Sequence, residues 1–125
     1  MNADREVLYQ GRYHALVADP IHGELVRCGG EAMVVALTED GDVLLTVEPS
    51  AAFPGPTVIL PGGSTSPDRP NDETANLELQ EEVGLRAGRL DFLGELRPFS
   101  KYLTVRTFVY LARDLAESRL VGDET

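Results

Sequence analysis

Short apolar stretches separated by turn residues dominate the pattern along the chain, and they predict β-strands. Residues 33–37 and 43–47 lie on either side of an acidic, glycine-containing turn and together predict a β-hairpin. Proline-rich residues 48–56 predict a loop, and residues 61–63 are expected to end the strand before them. The predicted strands are, in order, residues 7–18, 23–26, 33–37, 43–47, 57–60, 90–96 and 105–111.

Apolar residues spaced as on a helix, rather than as in the strands, predict one helix over residues 72–83. Pro70 or Asn71 is expected to open this helix, and Gly84 is expected to close it. Its buried stripe would consist of Ala75, Leu79 and Val83. The order of strands, one helix and then further strands predicts an α+β layer architecture.

Length and composition agree with a single globular domain over residues 1–125. Apolar residues make up 42% of the chain and charged residues 26%, a balance typical of globular proteins. We expect a polar tail from residue 112 onward. No apolar run approaches the roughly 20 residues that cross a bilayer, and residues 1–10 lack the apolar stretch of a secretory signal. The single cysteine, Cys28, cannot form an internal disulfide, so we expect a cytoplasmic location.

Acidic residues outnumber basic ones by 21 to 11, which gives a net charge of −10 and disfavours binding to nucleic acid. On the predicted helix, Glu78, Glu81 and Glu82 stand at positions i, i+3 and i+4, and no basic residue of that helix neutralises them. A hard divalent cation such as Mg²⁺ would do so. The alternative is an ordinary solvated helix face, which a repulsion of about 0.2–0.5 kcal/mol per pair does not exclude.

The sequence around these glutamates resembles the Nudix box. Gly63 is followed, at the family's spacing, by LELQEEVGL over residues 77–85, and LPG precedes it. Residues 7–13, 73–76 and 122–124 resemble the branch that contains the ADP-ribose pyrophosphatases and ADP compounds hydrolases. The resemblance implies the Nudix α/β/α sandwich with a mixed sheet and with the box over residues 60–85. The carboxy-terminal strand and helix of that branch are expected to be missing here.

The resemblance also implies a set of site residues and a cofactor. Glu78 and Glu82 match the principal metal ligands, Glu81 matches an additional ligand, and the carbonyl of Gly62 matches a backbone ligand. The implied cofactor is Mg²⁺ or Mn²⁺. Glu124 matches the position at which this branch often keeps its catalytic base, and a box glutamate such as Glu81 is the other candidate. A terminal acid without a catalytic role is an equally open interpretation of Glu124.

Two positions depart from the family's pattern. Arg69 stands where the family has glutamate, and Leu77 stands where it has arginine. These two family residues normally pair and tie the loop to the helix. Losing both partners is nearly neutral for folding, whereas metal ligands need supporting contacts to hold their positions. We expect Arg69 to reach Asp72, Glu73 or Glu78 instead.

The activity implied by the resemblance is hydrolysis of the diphosphate bond of an ADP-linked compound such as ADP-ribose, which gives AMP and a sugar phosphate. Two alternatives stay open: a MutT-type nucleoside triphosphate pyrophosphohydrolase, and a Nudix domain that binds a nucleotide without cleaving it. Basic residues for a phosphate and an aromatic ring for adenine are the candidate substrate contacts, with ordinary surface roles as the alternative: Arg97, Lys101, Arg106 and Phe53. The branch further implies a homodimer formed through residues 1–30, and we expect neither a nucleic acid nor a membrane as partner.

Overall fold

The computed structural model describes residues 4–118, which form one helix and ten strands. The helix is α1 (Asn71–Val83). It has 13 residues and is neither long nor apolar enough to cross a membrane. The strands are β1 (Glu6–Gln10), β2 (Ala15–Asp19), β3 (Gly23–Arg27), β4 (Glu31–Leu37), β5 (Val43–Leu44), β6 (Thr46–Pro49), β7 (Pro56–Ile59), β8 (Gly62–Ser64), β9 (Leu85–Leu96) and β10 (Thr107–Glu117).

A five-stranded central sheet carries the helix. Its strand order is β5-β4-β10-β9, and β8 pairs with the same edge of β4 as β5 does. β8 pairs with the start of β4 and β5 with its end. β4 and β10 are parallel, whereas the other pairs are antiparallel. The expected α/β fold with a mixed sheet is therefore confirmed, with one helix on one face in the described residues.

Small side chains let α1 pack closely on this sheet. Leu79 is fully buried against alternate residues of β4, and Val83 packs at the border of the core. α1 begins after Pro70 and ends at Gly84, whose φ of 78° is left-handed, so both predicted ends are confirmed. The buried core residues are Ala32, Val34, Ala36, Ala75, Leu79, Ala87 and Ala112.

The amino-terminal strands form a separate antiparallel sheet in the order β1-β2-β3. The loop between β9 and β10 binds this sheet, because Val26 N–H donates to the carbonyl of Tyr102 at 2.6 Å and Thr104 N–H donates to the carbonyl of Val26 at 3.1 Å. Within the sheet, Arg5 Nε donates to the buried carboxylate of Asp19 at 2.8 Å. The amino-terminal sheet is thus fixed beside the start of β4. Its expected role in a dimer stays a prediction.

The structure corrects the first predicted strand and the end of the fifth. Residues 7–18 form two strands, because residues 11–14 turn and Gly11 N–H donates to the carbonyl of His14 at 2.8 Å. Residues 61–63 do not simply end a strand, because Gly62 pairs with Met33 and begins β8. Pairing with a neighbouring strand outweighs the low strand propensity of glycine here.

The other corrections concern lengths. The predicted hairpin forms, but only Val43 and Leu44 pair with β4. The chain then leaves the central sheet as β6, so the predicted loop over residues 48–56 begins inside a strand. β9 and β10 pair from Leu96 opposite Thr107 to residues 85 and 117. This long ladder makes a strand of residues 112–117, which the sequence predicted as part of a polar tail.

Candidate metal centre

The segment that resembles the Nudix box begins on β8, at an edge of the central sheet. Beside β4, Val34 N–H donates to the carbonyl of Pro61 at 2.9 Å, and Thr65 N–H donates to the carbonyl of Gly30 at 3.0 Å. Hydrogen-bonded pairs alternate along antiparallel strands. Gly62, the residue after Pro61, therefore turns both its N–H and its carbonyl away from β4. Its carbonyl oxygen is free to face a ligand.

The Gly62 N–H is used by the helix. Glu82 Oε1 accepts a hydrogen bond from it at 3.0 Å, which joins the last turn of α1 to β8. Burial raises the pKa of Glu82, the Gly62 N–H opposes this shift, and the charges of Glu48 and Glu81 raise the pKa further. Glu82 is thus held in place but receives no cationic partner in residues 4–118.

Glu78 lies one turn earlier on α1 and directly over the next glycine. A Cβ atom on Gly63 would overlap the Glu78 carboxylate, so the absence of a side chain at Gly63 leaves the space that the carboxylate fills. Burial raises the pKa of Glu78, as do the charges of Glu81, Glu82 and Glu48, whereas the charge of Arg69 lowers it. Glu81 and Glu82 each raise the pKa of Glu78 more than Arg69 lowers it, so the charge of Arg69 does not neutralise the repulsion among the acids.

These donors fit a hard divalent cation. Two half-buried carboxylates with raised pKa values lie against β8, Glu82 on the N–H of Gly62 and Glu78 over Gly63, and oxygen donors of this kind are what Mg²⁺ prefers. Glu81 is exposed on the same helix. Among residues 4–118, no three acidic, histidine or cysteine side chains converge closely enough to enclose an ion. The assignment of Gly62, Glu78, Glu81 and Glu82 as metal ligands stays a prediction.

Arg69 and Leu77 do not replace the family's ion pair. Arg69 is exposed and forms no ion pair with any residue between 4 and 118, including the expected partners Asp72 and Glu73. It acts on Glu78 only through its charge. The expected ion pair of Arg69 with Asp72, Glu73 or Glu78 is therefore not found within residues 4–118, where the Arg69 side chain is exposed.

Two amide side chains that the sequence analysis missed hold α1 on its other flank. Asn76 Oδ1 accepts a hydrogen bond from Ala87 N–H at 3.0 Å. Gln80 Oε1 accepts one from Ser118 Oγ at 2.7 Å. These contacts fasten the helix to β9 and to the end of β10. Their positions i and i+4 beside the buried stripe were the available signal in the sequence.

The predicted phosphate-binding residues fall into two groups. Arg106 makes two hydrogen bonds to Glu95, at 2.7 and 2.9 Å, and Arg97 makes one at 3.0 Å. These bonds lower the pKa of Glu95 to about 2, with Arg106 as the larger cause. Both arginines line a cavity of about 490 Å³. Lys101 instead lines another cavity, of about 510 Å³, beside Arg5.

A third cavity, of about 360 Å³, lies between the amino-terminal sheet and the end of β8. The sequence analysis did not predict it, because it joins residues distant in sequence: Tyr13, His14, Cys28, Glu31, Ser64 and Thr65. Phe53 is 69% exposed in the connection between β6 and β7 and is not among the residues lining any of these three cavities. Glu124 lies outside the described residues.

Three comparisons with known proteins agree with this architecture. The family model of the NUDIX domain matches residues 29–125. ADP compounds hydrolase NudE of Escherichia coli (strain K12) is 31% identical over 94 residues, which are 75% of this chain and 50% of that protein. The chain thus spans about half the length of this curated relative.

Solved structures extend the likeness to the amino-terminal sheet. A crystal structure of an ADP compounds hydrolase superposes with a TM-score of 0.75 and 25% identity, over 96% of this chain and 70% of the other. A MutT structure, from work on Aliivibrio salmonicida and Vibrio cholerae, shares the fold with a TM-score of 0.59 and 16% identity, over 74% of this chain and 69% of the other. The chain belongs to the Nudix domain family and is related to the ADP compounds hydrolases.

Proposed function

We propose that this chain is a metal-dependent pyrophosphohydrolase that cleaves the diphosphate bond of an ADP-linked compound such as ADP-ribose, giving AMP and a sugar phosphate. The observation that carries the proposal is the pairing of Glu78 with Gly63 and of Glu82 with Gly62 at one sheet edge. The relation to ADP compounds hydrolases supports the substrate class. The cofactor proposed is Mg²⁺ or Mn²⁺.

The centre offers four candidate ligands for the ion. Glu78, Glu82 and the Gly62 carbonyl would hold it, and Glu81 would join them by rotating its exposed side chain toward the cluster. When bound, a divalent ion polarises phosphoryl oxygens and makes a bound water more acidic. The hydrogen bond from Gly62 N–H fixes Glu82 and leaves its second oxygen free to bind.

The chemical step needs a base and a binding site for the rest of the substrate. Glu81 would accept the proton of the attacking water, and Glu124 is the second candidate for this role. The water oxygen bonds to one phosphorus, and the bond from that phosphorus to the bridging oxygen breaks, so the second phosphate leaves with the bridging oxygen. Arg97 and Arg106 would bind a phosphate by exchanging part of their contact with Glu95.

The remaining substrate contacts follow from the cavities. The cavity beside Ser64 is large enough for part of a nucleoside, and Tyr13 at its wall offers a ring to stack on a base. Phe53 and Lys101 stay secondary candidates, since neither lines that cavity. We also propose a homodimer, because every residue of β1 is exposed and Tyr9 is 68% exposed on it.

A substrate screen tests the activity. The purified chain is incubated with ADP-ribose, other ADP-linked compounds and nucleoside triphosphates, with and without Mg²⁺, and the products are identified by mass spectrometry. We expect AMP from an ADP-linked compound only when metal is present. Glu78→Gln should abolish this product, and Glu24→Gln, which removes an equal charge from the exposed face of β3, should not.

Two results would contradict the proposal. Pyrophosphate released from triphosphates, with no AMP from ADP-linked compounds, would indicate a MutT-type activity. Nucleotide binding by calorimetry with no product after prolonged incubation would indicate a binding domain, which the altered positions Arg69 and Leu77 would then explain.

A further inference from the structure

The cavity of about 510 Å³ beside Arg5 lies between the amino-terminal sheet and the loop that joins β9 to β10. Basic and polar side chains form most of its wall, and its lining residues are Arg5, His22, Leu25, Ser100, Lys101 and Tyr102. Within residues 4–118, no acidic side chain lines this cavity, although the chain as a whole carries a net charge of −10. An arginine, a lysine and a histidine around one cavity, without an acid among them, favour binding of an anion.

Asp19 holds two of these side chains from behind. Its side chain is 1% exposed, and it accepts hydrogen bonds from Arg5 Nε at 2.8 Å and from His22 Nδ1 at 3.1 Å. The hydrogen bond from Arg5, followed by those from the backbone N–H groups of His22 and Ile21, holds the pKa of Asp19 below its ordinary range. An ionised carboxylate only accepts hydrogen bonds, so His22 Nδ1 carries a proton. Arg5 donates to Asp19 through Nε, which leaves its two terminal nitrogens for a ligand.

The opposite wall of the cavity is fixed by backbone contacts. Leu103 forms a parallel bridge with Val26 of β3, and the N–H groups of Tyr102 and Leu103 both donate to the carbonyl of Phe99 at 2.9 Å. The turn held in this way carries Lys101, which is exposed and forms no ion pair within residues 4–118. Because the backbone is already in place, a ligand would have to order only flexible side chains such as that of Lys101.

The position of the acid distinguishes this cavity from the neighbouring one of about 490 Å³. In the neighbouring cavity, an anion must compete with Glu95 for Arg97 and Arg106, because Glu95 accepts hydrogen bonds from both. Asp19 does not line the cavity beside Arg5. It orients Arg5 without occupying the space in which a ligand would lie.

We propose that the cavity beside Arg5 binds the phosphate group of a small molecule, held by Arg5, Lys101 and the hydroxyl of Ser100. The terminal nitrogens of an arginine match two phosphate oxygens, and a lysine adds a mobile positive charge. Tyr102 is 60% exposed at the same wall and offers a ring beside the phosphate. No lining residue belongs to α1 or β8, so this site is separate from the candidate metal centre and does not depend on the proposed function.

A titration with phosphate tests the site without any turnover. The ¹⁵N-labelled chain is titrated with inorganic phosphate at low salt, in the presence of EDTA, and backbone amide shifts are followed by NMR. We expect the largest shifts at His22, Ser100 and Tyr102, and little change along α1. Lys101→Gln should weaken phosphate binding about three- to five-fold. The control Arg86→Gln removes an equal charge from an exposed position of β9 that lines none of the three cavities, and it should stay within about two-fold of wild type.

A second variant tests the arginine. Arg5→Gln should weaken phosphate binding about ten-fold, because it removes charge-assisted hydrogen bonds. This change also takes a partner from the buried Asp19, so its folding is checked by thermal unfolding. Lys101→Gln removes no ion pair of residues 4–118, and it decides the test where Arg5→Gln does not fold.

The outcomes identify the ligand or refute the site. Phenyl phosphate is titrated in the same way, and tighter binding than that of inorganic phosphate would indicate a ligand whose ring stacks on Tyr102. Equal binding would indicate that the phosphate group alone is recognised, and both results support the site. If Arg97→Gln weakens phosphate binding and Lys101→Gln does not, phosphate occupies the neighbouring cavity and the proposal is refuted. It is also refuted if the wild type binds no phosphate, and neither refutation affects the proposed hydrolase activity.

Discussion

Replacing Gly63 with alanine should lower the turnover rate while leaving the stability of the fold nearly unchanged. The added Cβ would overlap the Glu78 carboxylate, and even the farther carboxylate oxygen would lie only 2.8 Å away. The carboxylate must retreat by roughly 1 Å to reach an ordinary contact of about 3.5 Å. A displacement of that size in an active site costs about 100-fold in rate. We therefore expect turnover of an ADP-linked substrate to fall about 100-fold in Gly63→Ala.

Folding should be little affected by the same change. The group displaced is the end of a flexible side chain, and the backbone at Gly63 is not in the left-handed region. Alanine also restricts the unfolded chain, which stabilises by about 0.4–1 kcal/mol where the native conformation allows it. The free energy of unfolding in urea should thus stay within about 1 kcal/mol of wild type.

Two other glycines, Gly29 and Gly62, are the matched controls. A Cβ on Gly29 meets no atom within 4 Å, so Gly29→Ala should preserve both stability and turnover. A Cβ on Gly62 would lie 2.5 Å from the backbone oxygen of Ala32, and because neither strand moves easily, Gly62→Ala should lose about 1–3 kcal/mol of stability. Full turnover by Gly63→Ala would show that the position of Glu78 over this glycine is not needed for catalysis.

Two further predictions concern the acids Glu78 and Glu82 and the altered positions 69 and 77. The pKa values of Glu78 and Glu82 lie above the ordinary 4.5, so the folded chain binds protons that the unfolded chain releases. Without metal, these two groups should therefore increase the free energy of unfolding as the pH falls from their raised pKa values toward 4.5. With Mg²⁺ present, the opposite is expected: protonation of the two carboxylates weakens Mg²⁺ binding, so acidification should lower the free energy of unfolding. Urea titrations at several pH values, with and without Mg²⁺, measure both trends, and equal trends would contradict them. Arg69→Glu combined with Leu77→Arg should speed turnover by restoring the family's pair, and an unchanged rate in steady-state kinetics would show that the pair is dispensable here.

Local signals in the sequence were sufficient to predict the bounds of the helix and the placement of its acidic residues. The period of the apolar residues and the residues at both ends, Pro70 and Gly84, act within a few positions of the helix, so they predict its bounds closely. The spacing of Glu78 and Glu82 then places both carboxylates on one side of it. Neither inference depends on what distant segments do.

The elements that the sequence did not reveal depend on pairing between distant residues. Gly62 has a low intrinsic preference for a strand and joins one only because β4 lies beside it. Glu48 stands in a proline-rich stretch that predicts a loop, and it belongs to a strand only because it pairs with Thr57 of β7. The cavity beside Ser64 likewise needs the amino-terminal sheet to be docked. No periodicity within one segment carries this information.

The acids of this chain whose pKa values are shifted differ in their partners. Asp19 and Glu95 each accept hydrogen bonds from arginine, which hold their pKa values below the ordinary range. Glu78 and Glu82 are brought together by the helix and held near two glycines, with no arginine or lysine of residues 4–118 in ion-pair contact, and burial together with neighbouring negative charges raises their pKa values. A solvated helix face would let the carboxylates separate in water and would show no such burial. The chain thus keeps two acids in a repulsive arrangement that a divalent cation would relieve, which favours a metal centre over a surface role.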